Sequence, residues 1–433
     1  MKKLLNELES LVNQEVIDSN TAIKISEYYK SRAEIKPNWL LIIFGILGAC
    51  LIGLGLILIV AHNWDDLPLS AKTLLAFLPL GLTQGLYGYT LKHKRLSVTW
   101  REVSSILLFF SVAICIALIS QIYQIEGDLR SFLLTWAVLA LPIVFIMPSS
   151  VVSLFMLILI ARLHPAYTGR GTYRVIYPVL IWDQALLFCV MLIHYWHLII
   201  QKPKSLFTLW HHWVVPIVFC ALFYLSAIKA GTLYGSILML IILGLLYNIG
   251  RTKYFYHKNL LNNPYLVIGA IGTIMILFFS SFSGYWDYNI FNSEKIKIHE
   301  ISYYATAILV ALVSLYLISQ NYIKQGIKSL SPIQVNFFVF IIIAFIGAIQ
   351  TQLAMLLTNL WLLIIGLYYI NDGIQRNHLP IMNLGVLVIC ALILMRFLEF
   401  NVSFIGRGIS FVLLGCAFFA ANYYLIKKSN HDK

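Results

Sequence analysis

The sequence predicts an all-α protein, a polytopic transmembrane helical bundle with about 14 spans (12–14). Of its 433 residues, 60% are hydrophobic and only 11% are charged, whereas soluble domains carry roughly 45–50% apolar and about 25% charged residues. Uncharged apolar runs recur as far as the C-terminus, and the first of them covers residues 39–61. At about 1.5 Å per helical residue, such a run crosses a hydrocarbon core of about 30 Å.

Residues 1–37 precede the first apolar run and predict a short soluble helical hairpin. Leu4, Leu8 and Leu11 recur at helical spacing and form one apolar face. The letters IDSN then interrupt the pattern, with Asp18 or Ser19 as the N-cap of a second helix. Two helices of this size cannot hold a core alone. We therefore expect the hairpin to pack on the membrane domain, on a protein partner or on a second protomer.

The rest of the chain divides into a membrane domain (38–150), further transmembrane helices (151–426) and a cytoplasmic tail (427–433). The fourth and fifth spans flank the letters MPSS and are either two short spans or a broken pair. Gly81 and Gly85 form a GxxxG pattern in the second span, which predicts a tight hairpin with the first span. The predicted spans are 39–61, 71–91, 102–121, 131–147, 149–163, 177–200, 213–229, 231–249, 264–283, 301–321, 332–350, 353–370, 379–397 and 405–426.

The distribution of basic residues predicts the orientation. With the N-terminus inside, 21 of the 31 Lys and Arg residues fall in cytoplasmic segments, as the positive-inside rule expects for a multi-pass protein with both termini cytoplasmic. Arg162, Arg170 and Arg174 are exceptions to the rule, because this topology places them outside. The formal net charge of +13 follows from the same rule. No basic run is dense enough to follow a phosphate backbone, so membrane lipids are expected as partners and nucleic acid is not.

Two acidic segments fall on the outer side in this topology. Asp65 and Asp66 lie between the first two spans, where Asp66 is a natural N-cap before Pro68. The letters SQIYQIEGDLRS join the third and fourth spans. Both segments are interpreted either as solvated capping loops or as the two sides of a pocket for a cation or polar ligand. The second segment contributes Gln121, Tyr123, Gln124, Glu126 and Asp128.

Asp183 is the strongest intramembrane candidate, about six residues inside the sixth span. Ionisable groups inside a membrane usually line a pathway or pair with a partner. If the span instead starts near Asp183, this carboxylate is interfacial. His194 lies on the same helical face but about 16 Å away, so the two side chains cannot share a proton directly.

Four histidines and two arginines complete the candidates. His194, His197, His211 and His212 are potential zinc or copper ligands, although the neighbouring tryptophans mark an interface where His is common. Arg396 and Arg407 are either part of an ion-paired helix end with Glu399 or an anion site. No motif for a cofactor or for a known catalytic mechanism is present, so no cofactor is expected.

The N-terminal hairpin, the letters AHNWDDLPLSAK and the letters SQIYQIEGDLRSFLLTWAVLALP together resemble a family of bacterial predicted membrane proteins, domain of unknown function 2157 (DUF2157). The first motif is matched by Asn63, Trp64, Asp65, Asp66 and Lys72, and the second by Gln121, Ile122, Tyr123, Gly127 and Asp128. The resemblance covers roughly residues 5–150 and implies a location in the bacterial inner membrane, without an established activity. Members often have a glycine between the N-terminal helices, where this chain has NQEVIDS.

Three classes of function remain open. The sequence favours a transporter or lipid-handling protein with an acidic pocket on the outer face. The second class is a membrane sensor or assembly scaffold that acts through its N-terminal hairpin. The third is a membrane enzyme that acts on a lipid-linked substrate; it is less favoured because no catalytic motif supports it.

Overall fold

The computed structural model describes residues 11–31, 67–163, 182–229, 232–255, 259–287, 298–325 and 330–399, together with scattered positions between 8 and 55 and between 408 and 419. Within these ranges the regular elements are all helical. The all-α prediction is confirmed for this part of the chain. The first and last predicted spans, 39–61 and 405–426, lie mostly outside it.

The described residues form thirteen longer helices, and two short helical segments, Leu260–Asn262 and Ser283–Asp287, lie before and after the ninth of them. Their bounds are α1 Ser19–Ser31, α2 Leu69–His93, α3 Val98–Ile122, α4 Leu129–Ile146, α5 Ser150–Arg162, α6 Trp182–Gln201, α7 Leu206–Lys229, α8 Thr232–Gly250, α9 Pro264–Ser280, α10 Ile298–Gln325, α11 Pro332–Ile349, α12 Thr351–Gln375 and α13 Leu379–Glu399.

Helices α2 to α13 coincide in order with the second to thirteenth predicted spans. Among the described residues, eight helices are long and apolar enough to cross a membrane: α3, α4, α6, α7, α8, α11, α12 and α13. Ser150–Arg162, Pro264–Ser280 and Ala307–Gln320 are shorter apolar stretches. The chain is therefore a helical protein with several candidate spans, whereas the count of fourteen stays a prediction.

The N-terminal segment contains a tight helix end and a new helix start. A helical stretch ends near Asn13, where the Val16 amide donates to Leu11 O at 3.0 Å and the Glu15 amide to Val12 O at 3.1 Å. This is the Schellman pattern, and Glu15 has the left-handed φ of 55° that glycine usually provides. Asp18 caps α1 by accepting from the Thr21 amide at 3.2 Å. The packing of these two helices as a soluble hairpin stays a prediction.

The chain divides into two compact units. Unit 1 comprises Met1–Gly127 and Val138–Val152. In it the Tyr87 hydroxyl donates to Ile143 O at 3.2 Å, and the Thr83 and Ser111 hydroxyls are 2.7 Å apart. No described atom lies within 4 Å of a Cβ placed at Gly81 or Gly85. The first span lies mostly outside the described residues, so the tight GxxxG hairpin with it stays a prediction.

Unit 2 comprises Asp128–Ala137 and Ser153–Lys433. Close helix approaches occur at glycines that the sequence did not single out. A Cβ at Gly385 on α13 would lie 2.5 Å from Gly366 O on α12. A Cβ at Gly269 on α9 would lie 2.7 Å from Leu243 O on α8. In lipid, helix association depends on such close backbone contact, which small residues permit.

Candidate functional site

A buried chain of hydrogen bonds joins side chains from α6, α7, α9 and the segment after α8. The Tyr265 hydroxyl donates to the Tyr195 hydroxyl at 3.1 Å, and Tyr195 OH is hydrogen-bonded to Nδ1 of His212. The opposite ring nitrogen of His212, Nε2, lies 3.4 Å from Tyr254 OH. Tyr195, His212 and Tyr265 are all buried. We call Tyr265, Tyr195, His212 and Tyr254 the Tyr–His chain.

The sequence placed His212 just before the seventh predicted span, 213–229. In the structure His212 lies inside α7, because this helix begins earlier than the predicted span. Ser205 provides the reason, since its Oγ accepts from the Phe207 amide at 3.2 Å and its carbonyl from the Leu209 amide at 3.1 Å. A serine N-cap of this kind starts a helix. The helix therefore begins at Leu206 rather than at 213, and the letters WHHW lie inside it.

His211 and His194 lie beside the chain. Nδ1 of His211 is 2.8 Å from Phe207 O, so this nitrogen carries the hydrogen, and Nε2 accepts from the Ser153 hydroxyl at 2.8 Å. The His194 and His211 rings are 5.9 Å apart. His197 instead lies on the exposed face of α6. Among the residues described, no three His, Cys, Asp or Glu side chains come together in a way that could hold a metal ion.

Asp183 forms an ion pair with Arg130 of α4. Nη2 of Arg130 lies 2.6 Å from Oδ2 of Asp183, and both side chains are partly exposed. The structure places Asp183 in the first turn of α6, the arrangement expected if this carboxylate is interfacial. The next residue, Gln184, is buried and donates from Nε2 to Ile160 O at 2.6 Å.

The segment between α3 and α4 is exposed and serves largely to end one helix and begin the next. Gln124 has a left-handed φ of 49°, and the Ile125 amide donates to Ser120 O at 2.9 Å, which is a second Schellman end. The Tyr123 hydroxyl lies 3.1 Å from the Thr73 hydroxyl. Gln121, whose carbonyl accepts from the Gln124 amide at 3.4 Å, and Glu126 are also exposed.

Asp128 caps α4. Its Oδ1 accepts from the Ser131 amide at 2.8 Å, and the hydrogen bonds from the Ser131 side chain and amide lower the pKa of Asp128. The cap therefore stabilises the helix start at neutral pH, and this contribution is lost as the pH falls through the lowered pKa. The contacts account for Asp128 as a cap, and the pocket interpretation stays a prediction.

The remaining candidates have different settings. Arg396 donates from Nη2 to the Ser281 hydroxyl at 3.1 Å, and its guanidinium lies 5.3 Å from the centre of the Phe282 ring. Asp65, Asp66 and Arg407 lie outside the described residues. Helix α2 begins at Leu69 with Pro68 in the N-cap position, which is the position that the sequence analysis gave to Asp66.

Glu102, a fully buried carboxylate in unit 1, was not among the site residues predicted from the sequence. It accepts from the Ser149 hydroxyl at 2.6 Å, from the Ser150 amide at 3.2 Å and from the Val151 amide at 3.1 Å. These donors form the start of α5, where a negative charge is stabilised by free amides and the helix dipole. The letters MPSS thus mark a break between α4 and α5. Glu102, which belongs to α3, caps the start of α5. An acid in the first turns of an apolar span was the available signal.

The apolar helices and their buried polar contacts define an integral membrane protein of the helical class. Residues 9–153 match the family described as predicted membrane protein (DUF2157), and the resemblance is confirmed over these residues. The similarity to this family thus covers about the first third of the chain. No functionally curated protein and no solved structure matches the chain.

Proposed function

We propose that the protein is a proton-conducting transporter whose relay is the Tyr–His chain of unit 2. The observation that carries the proposal is the placement of both ring nitrogens of His212 next to tyrosine hydroxyls. Polar groups inside a membrane bundle are costly and mark ion or proton pathways more often than ordinary core positions. An imidazole takes up a proton at one nitrogen and releases another from the second, which makes it a proton shuttle.

The relay needs only water, as the proton donor at one end and the proton acceptor at the other. Tyr195 donates its hydroxyl hydrogen to Nδ1 of His212 and receives one from Tyr265, which is resupplied from water. The imidazolium of His212 then releases its Nε2 hydrogen to the hydroxyl oxygen of Tyr254, and Tyr254 gives its own hydroxyl hydrogen to water. One proton has moved along the chain, and rotation of the hydroxyls and the ring restores the starting arrangement.

Helix α6 connects this relay to a second polar group. Asp183, paired with Arg130, lies twelve residues before Tyr195, about 18 Å along the helix. Leu187 and Met191 lie between them and are buried. A polar group at each end of an apolar stretch suits a transporter that opens to one side at a time, because the apolar stretch blocks continuous leakage.

Proton flux into proteoliposomes tests the proposal. With the membrane potential clamped by potassium and valinomycin, vesicles containing the full-length protein should dissipate a pH gradient faster than protein-free vesicles. His212→Gln and Tyr195→Phe each interrupt the relay and should slow this flux at least tenfold. His197 is an exposed histidine of α6, the helix that carries Tyr195. His197→Gln is therefore the matched control and should leave the proton flux unchanged. Flux equal to that of protein-free vesicles would overturn the proposal.

We also propose fourteen spans with both termini cytoplasmic in the bacterial inner membrane. The excess of Lys and Arg in the predicted cytoplasmic segments supports this orientation. It places the Tyr–His chain near the cytoplasmic face and the Arg130–Asp183 pair near the outer face. Reporter domains fused at either terminus should both report from the cytoplasm, and reporters on opposite sides would contradict the topology.

A further inference from the structure

The turn between α2 and α3 concentrates positive charge beside a group of stacked rings. Lys92, His93, Lys94 and Arg95, which we call the basic turn, are all exposed. The rings of Tyr89 and His93 stack with centres 4.9 Å apart, and Trp100 contacts Tyr89 edge-on with centres 6.0 Å apart. We infer that this surface binds the headgroups of anionic phospholipids.

Backbone hydrogen bonds hold the turn in one shape. The Lys94 amide donates to Thr90 O at 2.9 Å, the Ser97 amide to Lys94 O at 2.9 Å, and the Arg101 amide to Ser97 O at 3.1 Å. These hydrogen bonds link the last turn of α2 to the first turn of α3 through a short connection. The charged side chains are presented from a short, ordered connection, so little order has to be gained when a headgroup binds.

The length of α3 places the turn at headgroup depth. Its 25 residues extend over about 37 Å, which exceeds a hydrocarbon core of about 30 Å. The apolar part of α3 starts after Glu102, so Trp100 and the basic turn are the residues left at the membrane surface. Tryptophan and tyrosine rings prefer this layer.

The positive charge of this surface suits the binding of a negatively charged phosphate group. No acidic residue occurs in positions 67–101. The next carboxylate in the sequence, Glu102, lies 3.6 Å from Arg101 but is buried, and it accepts hydrogen bonds from the start of α5. Lysine and arginine near a bilayer attract anionic lipids, and the fork of Arg95 is able to hold two phosphate oxygens at once. Phosphate oxygens would contact Lys92, Lys94 and Arg95 while Tyr89 and Trp100 pack on the lipid below.

Lipid retention by the purified full-length protein tests this inference independently of proton flux. We expect native mass spectrometry to show at least tenfold more phosphatidylglycerol than phosphatidylcholine bound after extraction from vesicles containing equal amounts of both. The triple variant Lys92→Gln, Lys94→Gln, Arg95→Gln should lose this preference. Lys202→Gln with Lys204→Gln, which removes two exposed lysines from the α6–α7 turn, should keep it.

Two further measurements separate the explanations. The double variant Lys94→Gln, Arg95→Gln should lose most of the preference while melting at the same temperature as the wild type in neutral detergent, which excludes a folding defect. Millimolar inorganic phosphate should not displace the lipid, because the rings bind the lipid and not the free anion. Equal retention of both lipids by the wild type, an unchanged preference in the triple variant, or displacement by phosphate would each overturn the inference.

Discussion

Replacing Glu102 with alanine should destabilise the protein more than any change at an exposed acid. The carboxylate is fully buried and accepts hydrogen bonds from Ser149, Ser150 and Val151. Hydrogen bonds to a charged group contribute about 1.5–3 kcal/mol each, and stranding a buried donor costs about 1–3 kcal/mol. The Ser149 hydroxyl is free to rotate to another acceptor, but the two amides are held by α5. We therefore expect a loss of about 3–5 kcal/mol in the free energy of unfolding, similar to that for breaking a buried ion pair.

Glu102→Gln separates the carboxylate charge from its shape. The amide oxygen retains one acceptor, so we expect a loss of about 1–3 kcal/mol. Glu126→Ala is the control, because Glu126 is an exposed acid of the same unit and should change the stability by less than about 0.5 kcal/mol. Equilibrium unfolding in mixed detergent measures all three variants. Hydrogen exchange at the start of α5 should accelerate in Glu102→Ala. A loss below about 1 kcal/mol for Glu102→Ala would refute the role of this carboxylate as the cap of α5.

Two further predictions concern the backbone. Gly385→Ala should lower the stability by about 1–3 kcal/mol, because its Cβ would lie 2.5 Å from Gly366 O and backbone cannot move aside. Gly81→Ala, whose added Cβ has no described atom within 4 Å, should be neutral or stabilising in the same unfolding assay, and equal effects of both changes would contradict the assignment. Glu15→Gly should slow hydrogen exchange in residues 11–31, because a left-handed residue other than glycine costs about 1–2 kcal/mol. Glu15→Ala, which keeps the cost, should not slow it, and faster exchange in Glu15→Gly would count against the Schellman end.

The positions of the helices could be read from the sequence because hydropathy is a local property. A run of apolar residues satisfies its own backbone hydrogen bonds only as a helix when it is in lipid, so the helix bounds follow from the run. The short polar breaks were equally readable, and the letters MPSS separate α4 from α5 where the sequence suggested a break. The start of α7 was misplaced because Ser205 begins the helix before its apolar run begins.

The contacts between helices were decided by the tertiary structure alone. Asp183 was identified as a candidate, but its partner, Arg130, lies 53 positions away in the sequence, and Glu102 caps residues nearly as distant. Membrane helices are apolar on all sides, so their pattern does not tell which face meets a neighbour and which meets lipid. The same limit explains why the sequence did not single out Gly385, which packs against Gly366 of α12. Sequence determined the class of protein and the order of its helices, and three-dimensional packing determined which polar groups meet.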